Sequence, residues 1–113
     1  MRLFVCGNQT DEFIKTTLRD LDDNFEITSV CGSATSRCMD VLVPWCEDRG
    51  IPITLYLTED ISVPGMISLN SNIIRRERPF MVLLYKEDEE VAEHLVQEAY
   101  NDSSVQYVVK EIA

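Results

Sequence analysis

The chain has few basic residues, one histidine and four glycines, and it contains no long hydrophobic run. Its longest apolar stretch, 79–85, has the length of a strand, whereas a membrane-spanning helix needs about 18 apolar residues. Ten Lys and Arg stand against twenty Asp and Glu, which gives a net charge of −10. Because an acidic surface repels phosphate backbones and anionic lipid, we expect neither a nucleic-acid partner nor a membrane partner.

The sequence also lacks the short motifs of several well-defined sites. Neither GxGxxG nor a Walker loop is present, so no dinucleotide or nucleoside triphosphate site is predicted from glycine motifs. No CxxC or CxH spacing connects the four cysteines, and residues 1–10 carry no long apolar stretch typical of a secretory signal. We therefore expect a cytoplasmic protein that holds no metal ion and no cofactor.

The cysteines are Cys6, Cys31, Cys38 and Cys46. In a reducing compartment we expect them to be free thiols that pack as small apolar residues. The alternative is that Cys6 and Cys31, at the ends of neighbouring predicted strands, form a thiol pair or half of a metal site.

Length and composition predict a single domain, 1–113. Domains usually contain about 100–200 residues, and this chain has 113. Hydrophobic residues make up 45% of it, at strand-like and helix-like spacings, which excludes a disordered chain.

Strand-like and helix-like segments alternate along the whole chain. The predicted strands are 2–6, 25–31, 51–57, 79–85 and 105–109. The predicted helices begin at a Thr10 cap, after a loop at 32–36, near 67 and at Asp88. The second helix contains Pro44, which we expect to kink or break it, and ends at a Gly50 cap. This alternation predicts an α/β fold, a three-layer α/β/α Rossmann-like sandwich with a five-stranded, mainly parallel sheet in the order 3-2-1-4-5.

Small and polar residues follow the first two predicted strands. They are Gly7, Asn8, Gly32, Ser33, Ala34 and Thr35. Ligands of open parallel sheets bind beyond the carboxyl ends of the strands, and small residues there allow backbone N–H groups to approach an anion. The alternative is that the glycines serve tight turns, Asn8 serves an Asx turn and the hydroxyls cap a helix.

Several motifs follow one another in a recognisable order: RLFVCGN, CGSATSRCMD, PWCEDRGIPI, TED before Pro64-Gly65, Asn72, and FMVLLY. This order resembles the DUF2493 group of small SLOG-type Rossmannoid proteins, whose pattern includes GGAxGxD, W-A-x-x-x-G-I-P, an R-N pair and an apolar strand. The chain departs from the pattern at Ser33 and Ser36, which stand in place of glycines, and at Ser71, which stands in place of the Arg. The acidic position of GGAxGxD is either replaced by Cys38 or displaced to Asp40.

The resemblance implies a protein of phage or prokaryotic origin that binds a nucleotide or a nucleotide-derived signal. Asn72 matches the group by its spacing. Asp40 is a candidate partner of a ribose hydroxyl, and Arg75 belongs to the densest cluster of positive charge, suited to an anion. For Asp40 and Arg75 the alternative is a solvated surface position.

We consider three functions. The first is a small-molecule binding protein that holds a nucleotide or nucleotide-derived ligand at the ends of strands 1, 2 and 4. The second is an enzyme that splits an N-glycosidic bond, which needs Asp40, Glu59 or Asp60 in the pocket with a raised pKa. The third is a non-catalytic adaptor whose own side chains fill the pocket and which exposes an apolar patch elsewhere.

Catalysis has the weaker support in the sequence. The PGGxGTxxE motif of phosphoribohydrolases is missing, and His94 lies on a different element from the predicted pocket. We therefore assign no catalytic residue. A homodimer is compatible with the small size, although no sequence feature locates its interface.

Overall fold

The computed structural model describes residues 1–8 and 12–111, with the backbone alone for 12, 13 and 111. The elements are β1 (Arg2–Gly7), α1 (Glu12–Phe25), β2 (Ser29–Ser33), α2 (Met39–Arg49), β3 (Ile53–Tyr56), α3 (Val63–Glu77), β4 (Met81–Tyr85), α4 (Glu89–Asn101) and β5 (Tyr107–Glu111). The predicted helix cap at Thr10 lies outside the described residues.

The strands form one parallel sheet in the order β3-β2-β1-β4-β5. This arrangement confirms the predicted fold class and strand order. The burial of β1 and β4 agrees with their positions inside the sheet. Strand β4 is buried throughout, and β1 is buried beyond its first residue. Strands covered on both faces consist of nearly continuous apolar residues, as the 79–85 segment does.

Helices cover both faces of the sheet. Leu3 and Val5 of β1 point into a core with α1 and α2, whose central side chains include Leu18 and Leu42. Phe4 and its neighbours on the opposite face pack against α3 and α4 in a second core. Successive side chains of a strand point to opposite faces, so one strand supplies both cores. Within the described chain, no helix is long and apolar enough to cross a membrane.

The second strand begins later than predicted. The alternating segment 25–31 predicts a strand, whereas Phe25 is the last residue of α1 and β2 spans Ser29–Ser33. The Phe25 ring packs against Tyr107 with the ring centroids 5.5 Å apart, and Glu26 then turns the chain with φ 55°. Consequently, Gly32 and Ser33, predicted as loop residues, pair with β3.

Two helices contain a proline, and each differs from its prediction. Pro44 lies inside α2, which continues as one helix and ends at Gly50 in the left-handed conformation, φ 66°. Of the two predicted outcomes, a kink or a break, the break does not occur, and the predicted cap is confirmed. Helix α3 begins at Val63 rather than near 67, because Ser62 caps it and Pro64 occupies the first turn, where the N–H that proline lacks has no helical partner.

Candidate functional site

The carboxyl ends of β1 and β2 approach neighbouring backbone so closely that they require glycine. Gly7 has φ 136°, and a Cβ there would overlap the carbonyl of Tyr85 on β4. A Cβ on Gly32 would lie 2.7 Å from the Val5 carbonyl oxygen. Both glycines are therefore required for backbone reasons, but they lie inside strands rather than in the tight turns that we considered as the alternative.

A cleft of about 330 Å³ lies at this edge of the sheet. Its walls come from the segments that follow β1, β2, β3 and β4. The lining residues are Asn8, Thr35, Ser36, Ile61, Val63, Met66, Glu87, Asp88 and Val91. The cleft thus occupies the switch point between β1 and β4, where open parallel sheets bind ligands. Its volume falls in the range of small-molecule sites, roughly 300–1,000 Å³.

The backbone amides of the loop after β2 already donate hydrogen bonds within the protein. Every N–H from Ala34 to Asp40 donates a hydrogen bond to another group of the chain. The Thr35 N–H, for example, donates to the Ser33 hydroxyl at 3.2 Å, and the Ala34 N–H donates to the Tyr56 carbonyl at 2.9 Å. The loop is therefore closed on itself, unlike an open cradle for a phosphate.

Two carboxylates form one wall of the cleft. Glu87 accepts a hydrogen bond from the Cys6 thiol at 2.9 Å and another from the Asp88 N–H at 2.8 Å. Asp88 caps α4 by accepting from the N–H groups of Glu90 and Val91. Among the described residues, no Lys or Arg lines the cleft. The charged side chains that the described residues contribute to the lining are thus both carboxylates.

A buried amide lies next to this wall. Asn70 of α3 is 1% exposed, and its Nδ2 lies 3.8 Å from the Cys6 sulfur. Its Oδ1 has no hydrogen-bond partner among the described residues. Burial, together with the neighbouring charge of Glu87, raises the pKa of the Cys6 thiol well above its usual value. Cys6 is therefore a neutral thiol and a poor nucleophile.

All four cysteines are free and buried, as we expected from their sequence context. Residues 1–8 and 12–111 contain no cluster of three or more His, Cys, Asp or Glu that could hold a metal ion.

Asp40 and Asp60, two predicted site residues, do not line the cleft. Asp40 is exposed near the start of α2, and Asp60 is exposed in the loop before α3. Asp60 accepts hydrogen bonds from the hydroxyl and the N–H of Ser62, which lower the pKa of its carboxyl. A lowered pKa is the opposite of what the N-glycosidic hypothesis requires of Asp60.

Asn72 and Arg75 also lie away from the cleft. Both are exposed on α3, and the Arg75 guanidinium donates to the Asn72 Oδ1 at 2.7 Å. The residues between them, Ile73 and Ile74, are buried against the sheet. Asn72 and Arg75 therefore form a surface pair on the outer side of the helix.

The structure brings Asn8 and Thr35 to the cleft, with Gly7, Gly32, Ser33 and Ala34 in the strand ends and loop behind them. Sequence analysis missed the acidic wall, although Glu87 and Asp88 directly follow Tyr85-Lys86 at the end of a predicted central strand. It also missed Met66, because the start of α3 was predicted as a loop. Neither a scan against protein-family models nor a search of curated proteins finds a match to this chain.

Proposed function

We propose that this protein binds a nucleotide-derived small molecule in the cleft at the ends of β1, β2 and β4. The observation that carries the proposal is the position of the cleft. It lies at the switch point of a parallel sheet and takes lining residues from behind four successive strands. The resemblance to the DUF2493 group supports the same location, because the loops that it marks carry Asn8 and Thr35.

The lining has two chemically different sides. Val63 and Met66 of α3 and Val91 of α4 form an apolar side that suits the flat face of a base. A methionine thioether adds favourable contacts with aromatic rings. Among the other lining residues, Asn8 and Glu87 can accept hydrogen bonds from ribose hydroxyls or from a base amino group. Apolar walls with few convergent polar groups are typical of small-molecule sites.

Native mass spectrometry of the purified protein, followed by a thermal-shift panel of nucleosides, nucleotides and sugar phosphates, tests the proposal. We expect either a bound species that is lost on denaturation or a ligand that raises Tm. At a ligand concentration of 100 times Kd, binding stabilises the native state by about 2.7 kcal/mol. A bare mass together with a flat panel would contradict the proposal.

A pair of variants locates the site. Ile61 lines the cleft and is 71% exposed, so Ile61→Glu should weaken binding without unfolding the protein. Leu57 lies on the same connection, is 85% exposed and is not a lining residue. Leu57→Glu is therefore the matched control and should bind as the wild type does. Equal loss of binding in the two variants would place the site elsewhere.

One observation favours the adaptor as a second candidate. Leu55, Leu57 and Ile61 are exposed at or just after β3, one of the two edge strands of the sheet. Exposed apolar groups of this kind often mark contacts with another protein. A homodimer through this edge would show concentration-dependent sedimentation that Leu57→Glu abolishes, together with a flat ligand panel. The cleft itself is open, whereas the adaptor hypothesis predicts a filled pocket.

A further inference from the structure

We infer that the cleft accepts the nucleoside form of its ligand and rejects the corresponding phosphate ester. This inference rests on the proposed function and narrows the class of ligand. It depends on two features of the site: the amides around the cleft and the charge of its wall.

The amides that usually bind phosphate are already bonded. At α2, the Cys38 N–H donates to the Gly7 carbonyl. At α3, the Gly65 N–H donates to the Ser62 hydroxyl. At α4, the carboxylate of Asp88 occupies the position that an anion takes at a helix N-terminus. A phosphate would have to displace groups of the protein in order to reach these donors.

The charge of the wall acts in the same direction. Glu87 and Asp88 both line the cleft, and among the described residues no basic side chain offsets them there. Like charges that face each other in a partly desolvated site repel strongly. For a matched nucleoside and 5′-monophosphate we therefore expect the phosphate to weaken binding about tenfold or more.

The carboxylates of the wall are acceptors, which need a ligand that donates. Glu87 offers carboxylate oxygens at the cleft surface. Carboxylates that lose water when a ligand covers them need new hydrogen-bond donors, so this wall favours a ligand that brings donors. Ribose hydroxyls and exocyclic amino groups supply them without negative charge.

Calorimetric titration of matched pairs tests the inference: adenosine, guanosine, cytidine and uridine, each against its 5′-monophosphate. The expected result is that at least one nucleoside binds about tenfold or more tightly than its monophosphate. A monophosphate that binds as tightly as its nucleoside, or more tightly, overturns the inference and leaves the proposed function standing. Failure of all eight compounds to bind overturns both.

A charge-removing variant tests the cause. Glu87→Gln combined with Asp88→Asn neutralises the wall, while Asn at position 88 still caps the helix. Glu89→Gln combined with Glu93→Gln is the matched control, because it removes the same charge from exposed positions of α4 outside the cleft. We expect the first variant to reduce the preference for the nucleoside about tenfold and the control to leave it unchanged. An equal effect of the two variants, or no effect of the first, would refute the role of the wall.

Discussion

Replacement of Gly7 by alanine is expected to be the most damaging single-methyl change in this protein. Gly7 combines two constraints: a φ of 136° and a backbone contact so close that a Cβ would overlap the Tyr85 carbonyl. Neither constraint can relax locally, since β1 and β4 are the two central strands and pair along their length. The methyl group would have to push apart two strands in the middle of the sheet.

Two other glycines separate these constraints. Gly50 has a positive φ of 66°, but nothing lies within 4 Å of the position that a Cβ would occupy there, so Gly50→Ala tests backbone strain alone. Gly32 has no positive φ, but its Cβ would lie 2.7 Å from the Val5 carbonyl oxygen, so Gly32→Ala tests overlap alone. Strained backbone costs about 1–3 kcal/mol and overpacking costs about 1–3 kcal/mol. We expect the free energy of unfolding to fall by about 1 kcal/mol for Gly50→Ala.

For Gly7→Ala the two costs add, and we expect a loss of about 4 kcal/mol. A domain of this size is usually stable by about 5–15 kcal/mol, so the variant should still fold in the cold but should melt well below the wild type. Urea unfolding, followed by the fluorescence of the single tryptophan, the buried Trp45, gives the free energy of unfolding of all three glycine variants. A loss for Gly7→Ala within about 1 kcal/mol of that for Gly50→Ala would refute the overlap argument.

Three further predictions concern stability and reactivity. Asp102 accepts hydrogen bonds from the Ser104 hydroxyl and N–H, which lower the pKa of its carboxyl. The contribution of Asp102 to the free energy of unfolding is therefore complete above about pH 5 and is lost as the pH falls through the lowered pKa. In a plot of the urea midpoint against pH, Asp102→Asn should show a smaller decrease at acid pH than the wild type. An unchanged decrease would contradict this. Burial raises the pKa of Cys31 and of Cys38 to about 12, so a thiol-specific disulfide reagent should label neither residue in the native protein, and all four cysteines should react in denaturant. Pro44→Ala restores a helical hydrogen-bond donor at an exposed position and should stabilise the protein by about 1 kcal/mol. This is less than the cost of about 3 kcal/mol for a proline inside a helix, because alanine also gives the unfolded chain more freedom. A lower urea midpoint would refute the prediction.

The strand order follows from information that lies within short segments. The 79–85 segment is apolar on successive residues, which only a strand covered on both faces tolerates, and helical periodicities separate the predicted strands. Parallel strands joined by right-handed crossovers leave few arrangements. The sheet order was therefore predictable without knowledge of any tertiary contact.

The boundaries depended on contacts between distant segments. Phe25 belongs to an alternating sequence that suits a strand, but its ring packs against Phe80 and Tyr107, and these contacts are available to it at the end of α1. Local periodicity carries no information about partners so far along the chain. The late start of β2 and the early start of α3 therefore could not be obtained from it.

Part of the site was predictable from the sequence, and other parts had local signals that point to more than one role. The loops after β1 and β2 followed from topology. The surface positions of Asn72 and Arg75 could also have been derived, because the adjacent apolar pair Ile73 and Ile74 marks the buried face of the helix. Asn72 was predicted as a site residue from the spacing of the resemblance, which does not take this helical periodicity into account. Asp88 was predicted only as the start of a helix, although it also lies just after a central strand.

Ser33 connects the departure from the glycine-rich pattern with the chemistry of the cleft. It stands where that pattern has its second glycine, and its buried hydroxyl accepts the Thr35 N–H and lies 2.8 Å from the Thr35 hydroxyl oxygen. A glycine there would leave this amide free to bind an anion. The anion would still share the cleft with Glu87, so we expect that opening the loop alone would gain little affinity for phosphate. If the proposed function holds, efficient phosphate binding in this cleft would need a glycine in the loop and a neutral wall together, and the lack of both is the reason that we expect an uncharged, donor-bearing ligand.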